Sequence, residues 1–129
     1  MSTTTTLPPA NSHFISVSVA AEMTARFRES QETVLSAGYK GQNILANSET
    51  FNRDVFDEIL SKPGCAGIRI YYGMDTELKV HAIIVGADAG NSDILPTNLT
   101  GSAGDPVNYI GEEGQRCPTI CPPPSPLNP

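Results

Sequence analysis

Two alternating runs joined by a short polar link narrow the folds open to this chain more than any other feature. Residues 66–73 put Ile68, Ile70 and Tyr72 on one face of an extended segment and Arg69 and Tyr71 on the other. Residues 74–77 are a turn. Residues 78–87 then alternate again, with Val80, Ala82 and Ile84 on one side and His81, Ile83 and Val85 on the other. Both sides of the second run are apolar, which predicts a central strand. A link this short joins only antiparallel neighbours, so the pattern predicts an antiparallel hairpin.

Two helices are predicted N-terminal to it. Over residues 16–30, Val19, Ala20, Met23 and Phe27 recur at helical spacing behind Ser16, whose hydroxyl suits an N-cap. A second helix over 53–61 has Asn52 as its cap and Val55, Phe56, Ile59 and Leu60 as its buried stripe, and Pro63-Gly64 stops it. Shorter extended pieces are expected at 42–46, 94–95 and 107–111, with Pro96 ending the second and a Gly/Ser/Asn/Pro loop over 97–106. The expected fold class is α+β: two helices packed on a small, mostly antiparallel sheet, with extended N- and C-terminal arms. Residues 1–15 form a Ser/Thr-rich arm, 16–116 a single domain, and 117–129 a Cys/Pro-rich tail.

That tail reads Cys117-Pro118-Thr119-Ile120-Cys121-Pro122-Pro123-Pro124-Ser125-Pro126-Leu127-Asn128-Pro129. Proline fixes φ and lacks an N–H, so the tail is extended, neither helix nor central strand.

Charge excludes several functions. The chain carries a net charge of −6, and residues 80–115 hold no Lys or Arg but do hold Asp88, Asp93, Asp105, Glu112 and Glu113. Nucleic-acid binding requires a basic footprint, so neither nucleic acid nor an anionic membrane is an expected partner. No segment has the roughly 18–20 apolar residues of a membrane span. The first residues lack a basic stretch followed by an apolar run, so the expectation is a cytoplasmic protein, with a cell-surface or assembly-associated location as the alternative.

Around residues 63–73, the strand ending Val85-Gly86-Ala87-Asp88 and the closing Cys-Pro-x-x-Cys pair, the chain resembles a group of small bacterial proteins with no established activity. The resemblance runs from Ala21-Glu22-Met23-Thr24-Ala25 to the tail. It implies that Cys65 and the paired cysteines belong to a shared pattern, and no more.

The candidate chemistry rests on few residues. Cys117 and Cys121 make a C-x3-C pair that can clip one side of a zinc site, and Cys65 and His81 are the further ligands of a Cys3His set. A disulfide involving the pair is the other chemical reading. Thiol–disulfide catalysis is a poor fit, because the prolines after Cys121 prevent the helix such sites use to activate a thiol. Asp88 to Asp93 alternates oxygen donors but lacks the spacing and closing glutamate of an EF-hand, so it reads as a turn. Glu112-Glu113 lacks a visible partner carboxylate and pocket. No phosphate loop or nucleophile elbow occurs. Arg69 and Tyr71 on the sheet, with Pro122, Pro123 and Pro124 in the tail, are candidate interface residues; the bland alternative has Tyr72 in the core and Tyr71 half-buried. The expected function is a non-catalytic interaction or self-assembly module without a cofactor, forming a homo-oligomer or binding a protein partner. The alternative is a zinc-binding or thiol-redox-linked protein built on Cys65, Cys117 and Cys121.

Overall fold

The computed structural model describes residues 6–96 and 108–129, except the side chain of Asn11. The expected 97–106 loop, Asp105, the Val107 end of the last predicted strand and residues 1–5 lie outside them. In chain order the elements are α1 (Val17–Ser30), β1 (Ser48–Thr50), α2 (Arg53–Leu60), β2 (Cys65–Met74), β3 (Val80–Asp88), β4 (Asp93–Ile94), β5 (Ile110–Gly111) and β6 (Gln115–Cys117), with 3-10 turns at Ala10–His13 and Ala37–Tyr39. The class is α+β, with two helices and mostly antiparallel pairing. The chain divides into two compact units: one takes the described parts of Met1–Pro8, Phe51–Gly73 and Ala82–Glu113, the other Pro9–Thr50, Met74–His81 and Gly114–Pro129.

The first unit is a helix on a sheet. α2 begins where expected, with Asn52 Oδ1 accepting the Asp54 N–H at 2.8 Å and Asp54 in the favourable first turn. It ends at the Ser61 cap, and Gly64 turns the chain at φ +79°. The sheet has the order β2-β3-β4, with β5 also paired to β3. Gly86 faces Ile94 and Ala87 faces Asp93 across β3 and β4; Ile84 faces Gly111 and Val85 faces Ile110 across β3 and β5. β3 is therefore central, as its two apolar faces predict, and Ile84, Val85 and Ala87 on it are buried. The helix seats directly on strand backbone: a Cβ at Gly111 would meet Val55 Cγ1 at 2.7 Å, and one at Gly86 would meet Ile59 Cγ2 at 3.4 Å. Ile59, 2% exposed, fills the middle of this contact. Burying a side chain of that size stabilises by about 1.5–3 kcal/mol.

β2 corrects one expectation. Tyr72, read as a core residue, is 82% exposed, and Ile70 on the same face is 50% exposed. α2 has eight residues and β2 ten. A helix of that length reaches roughly 12 Å, whereas the strand runs roughly 33 Å, so the far half of β2 has no helix over it.

The second unit is built on smaller elements. Ser16 caps α1 as expected, its Oγ accepting the Val19 N–H at 3.1 Å. The predicted apolar stripe is present, yet no residue of α1 is buried. The strands of its unit are three residues each, β1 and β6 pairing antiparallel with Ser48 opposite Cys117 and Thr50 opposite Gln115, so they offer little apolar area. The predicted extended piece at 42–46 is instead irregular, with Asn43 at φ +56°. Its fixed point is Arg116, which donates to the Val80 carbonyl at 3.1 Å and to those of Asn43 and Ile44 at 2.9 Å each.

Candidate functional site

The sheet surface gathers the first set of predicted interface residues. On β2, Arg69 donates to the Asp93 carboxylate and to the Asn91 side chain, and also to the Asn91 carbonyl at 2.9 Å. The Tyr71 hydroxyl donates to the other oxygen of Asp93. These bonds hold the Asp93 carboxyl below the usual carboxylate range, the Tyr71 hydroxyl contributing most and Arg69 next. The same carboxylate pushes the Tyr71 hydroxyl up. Arg69 is thus a positioned structural residue. The Asp88–Asp93 segment is a turn, Asp88 Oδ1 accepting the Ser92 N–H at 2.8 Å.

β2 is also the end strand of its sheet, and among the described residues no strand pairs with its outer edge. Ile70, Tyr71 and Tyr72 are consecutive and all exposed. The edge carries no proline or lysine, two of the devices that keep sheet edges from pairing.

The predicted metal set is dispersed among other bonds. Cys117 and Cys121 form a disulfide with their Cα atoms 4.6 Å apart; in that form neither is a thiolate ligand. Cys65 is a free thiol beside Gly67 and Gly86. His81 donates through Nε2 to Asp75 Oδ2 at 2.8 Å, and its Nδ1 lies 3.9 Å from Glu49 Oε2. Asp75 also accepts the Lys79 and Glu77 N–H groups, so its carboxyl lies below the usual range, chiefly through Lys79 and then His81. No group of three His, Cys, Asp or Glu among the described residues is arranged to hold a metal ion.

The tail is anchored, and it turns at Pro118-Thr119 and again at Pro126-Leu127. Cys117 accepts the Asn47 N–H through its carbonyl at 2.7 Å, Asn43 Nδ2 donates to the Pro118 carbonyl at 3.0 Å, and Arg28 Nη1 donates to the Leu127 carbonyl at 2.8 Å. Ser125 and Asn128 exchange two backbone bonds of 3.0 Å. Pro122, Pro123 and Pro124 are exposed along it. Neither Arg28 nor Arg116 was legible as an anchor, because both bond to backbone carbonyls, which carry no sequence signature.

Described residues line a concavity in each unit. In the first unit, Asp54 and Glu58 of α2 line a cleft of about 550 Å³ with Glu112 and Glu113. Glu112-Glu113 thus has the pocket and companion carboxylates that could not be read from sequence, and Lys62 pairs with one of those companions, its Nζ 3.3 Å from Glu58 Oε1. In the second unit, α1, β1 and the tail enclose a groove of about 410 Å³.

No helix among the described residues is long and apolar enough to cross a membrane. Compared with family models, curated proteins and solved structures, the chain matches none.

Proposed function

We propose that this protein is a non-catalytic self-assembly module that pairs with a second copy of itself along the outer edge of β2. The observation that carries this reading is a ten-residue end strand, unpaired on its outer side by any described residue, with Ile70, Tyr71 and Tyr72 exposed. The outward N–H and C=O groups of such a strand are satisfied by another strand. Its only charge, Arg69, is already tied to Asp93 and Asn91, so a charged partner strand would meet no free countercharge. A second copy is self-complementary: antiparallel pairing about Tyr71 sets Ile70 of each copy against Tyr72 of the other, an aromatic–β-branched pair made twice by the two-fold axis. The net charge of −6 opposes the approach of two copies, so added salt strengthens the pairing.

Light scattering on size-separated protein across a salt series tests this. Wild type is expected as a dimer that tightens with salt, and Ile70→Lys/Tyr72→Lys as a monomer with the circular dichroism spectrum of wild type. A wild-type monomer at all salt and protein concentrations, or a double variant of the same mass as wild type, would overturn it.

The Cys117–Cys121 disulfide favours a second, thiol-linked reading, and with it an oxidising compartment. Zinc on Cys65, His81, Cys117 and Cys121 requires that bond to be reduced first. Intact mass under non-reducing conditions separates these forms: a loss of two hydrogens supports the disulfide, and a full hydrogen count removes it.

A further inference from the structure

The groove in the second unit combines features that specify a ligand. Its walls are Met23 and Phe27 from α1, Ser48 from β1, and Pro122 and Leu127 from the tail. Among the described residues Arg28 is the only charged side chain lining it. Arg28 uses one of a guanidinium's five N–H donors on the Leu127 carbonyl, and it makes no ion pair among the described residues. Its natural helical partner, Glu32 at i+4, is engaged elsewhere, accepting the Gly41 N–H at 2.5 Å. A chain of net charge −6 therefore sets a lone cation with open donors against a wall of exposed apolar side chains.

We propose that this groove binds a small carboxylate with an apolar body. The guanidinium takes the carboxylate through its remaining donors, and Met23, Phe27 and Leu127 take the body. A single planar fork matches a monocarboxylate. A phosphate would bring more charge than one arginine neutralises, and it would gain nothing from the apolar walls. The volume lies at the small end of ligand sites, which suits a short acid rather than a folded partner. Two sources present this chemistry: a free aliphatic acid, and the C-terminal residue of a peptide.

The test is an amide-resolved NMR titration of the full chain with hexanoate and with acetyl-Gly-Leu, each against its neutral amide. Both acids are expected to bind with Kd on the order of 1 mM, shifting resonances of residues 23–28, 47–50 and 122–128. The amides are expected to bind on the order of tenfold more weakly. Binding by hexanoate alone assigns the free acid as the source, and binding by acetyl-Gly-Leu alone assigns a peptide end. Arg28→Gln removes the preference for acid over amide and Arg28→Lys keeps part of it. Because Arg28→Gln also loses the Leu127 bond, Met23→Glu serves as the second variant: it places a competing carboxylate in the groove, leaves that bond in place, and is expected to abolish binding with the rest of the spectrum unchanged. Absence of shifts up to the solubility limit, shifts centred elsewhere, or equal affinity for acid and amide would overturn the proposal.

Discussion

Arg69 on β2 and Asp93 on β4 form an ion pair that reaches over the intervening strand β3, and Tyr71 closes on the same carboxylate. The pair links the two flanks of the sheet on the face opposite α2, a contact between residues separated by 24 positions in sequence.

Acid sensitivity follows from that pair. The folded pKa of Asp93 lies below its unfolded value, so its contribution to stability is complete above the unfolded pKa of about 3.9 and is lost as pH falls through the folded value. Tyr71 behaves in the opposite sense: its folded pKa is raised, so its share is complete below about pH 10 and lost as pH climbs through the folded value. Melting curves from about pH 2 to 11 are expected to show a shallower acid limb for Asp93→Asn, and Tyr71→Phe is expected to flatten the acid and alkaline limbs together. An acid limb unchanged in Asp93→Asn would remove this carboxylate from the account.

Truncation at the centre of the helix–sheet contact is expected to be severe. Ile59→Ala should cost about 3 kcal/mol, because the cavity lies between α2 and the close-packed backbone at Gly86 and Gly111, which has little room to relax. Asn52→Ala, which removes the cap, should cost about 1 kcal/mol. Urea denaturation measures both, and a cost for Ile59→Ala no larger than that of the cap would show that the helix does not rest on this residue.

Arg116→Met retains much of the side-chain volume and removes three donors to backbone carbonyls. The expected loss is about 2–3 kcal/mol. Hydrogen exchange should quicken at Val80 and Asn47, whose amides bond to the Ile44 and Cys117 carbonyls, while Ile84 and Val85 keep their protection. Uniform acceleration across both sets would show instead that the two units unfold as one.

Reduction of Cys117–Cys121 opens a very short loop, so the expected loss is about 2 kcal/mol at most. The effect should be local: faster exchange at residues 47–50, which pair with the segment leading into the disulfide, and little change in α2 or β3. A global loss of structure on reduction would make the bond a determinant of the whole fold.

Periodicity made the larger elements legible. Ser16 and Asn52 act as the caps their chemistry predicts, β2 and β3 lie within a residue or two of the alternating runs, and Asp93–Ile94 and Ile110–Gly111 are strands near the expected places. The pairing of β1 with β6 was not legible, since three-residue strands leave no alternation to read. Tyr72 was misplaced because alternation names a face without saying how far the covering helix extends along it. Cys117 and Cys121 were legible as a pair, with a disulfide and a zinc clip as the alternatives, since spacing alone does not choose between them. The groove at Arg28 was invisible: its walls come from residues about a hundred positions apart, and its charge looks like any other on a helix surface.

The three carbonyls held by Arg116 bear on how the chain is made. Asn43, Ile44 and Val80 emerge from the ribosome well before residue 116 does, and until then this side chain cannot satisfy them. The second unit therefore cannot close until residue 116 has emerged as well. Contacts of such long sequence span fold slowly, which makes the hairpin and α2 the first parts to leave the ribosome able to settle.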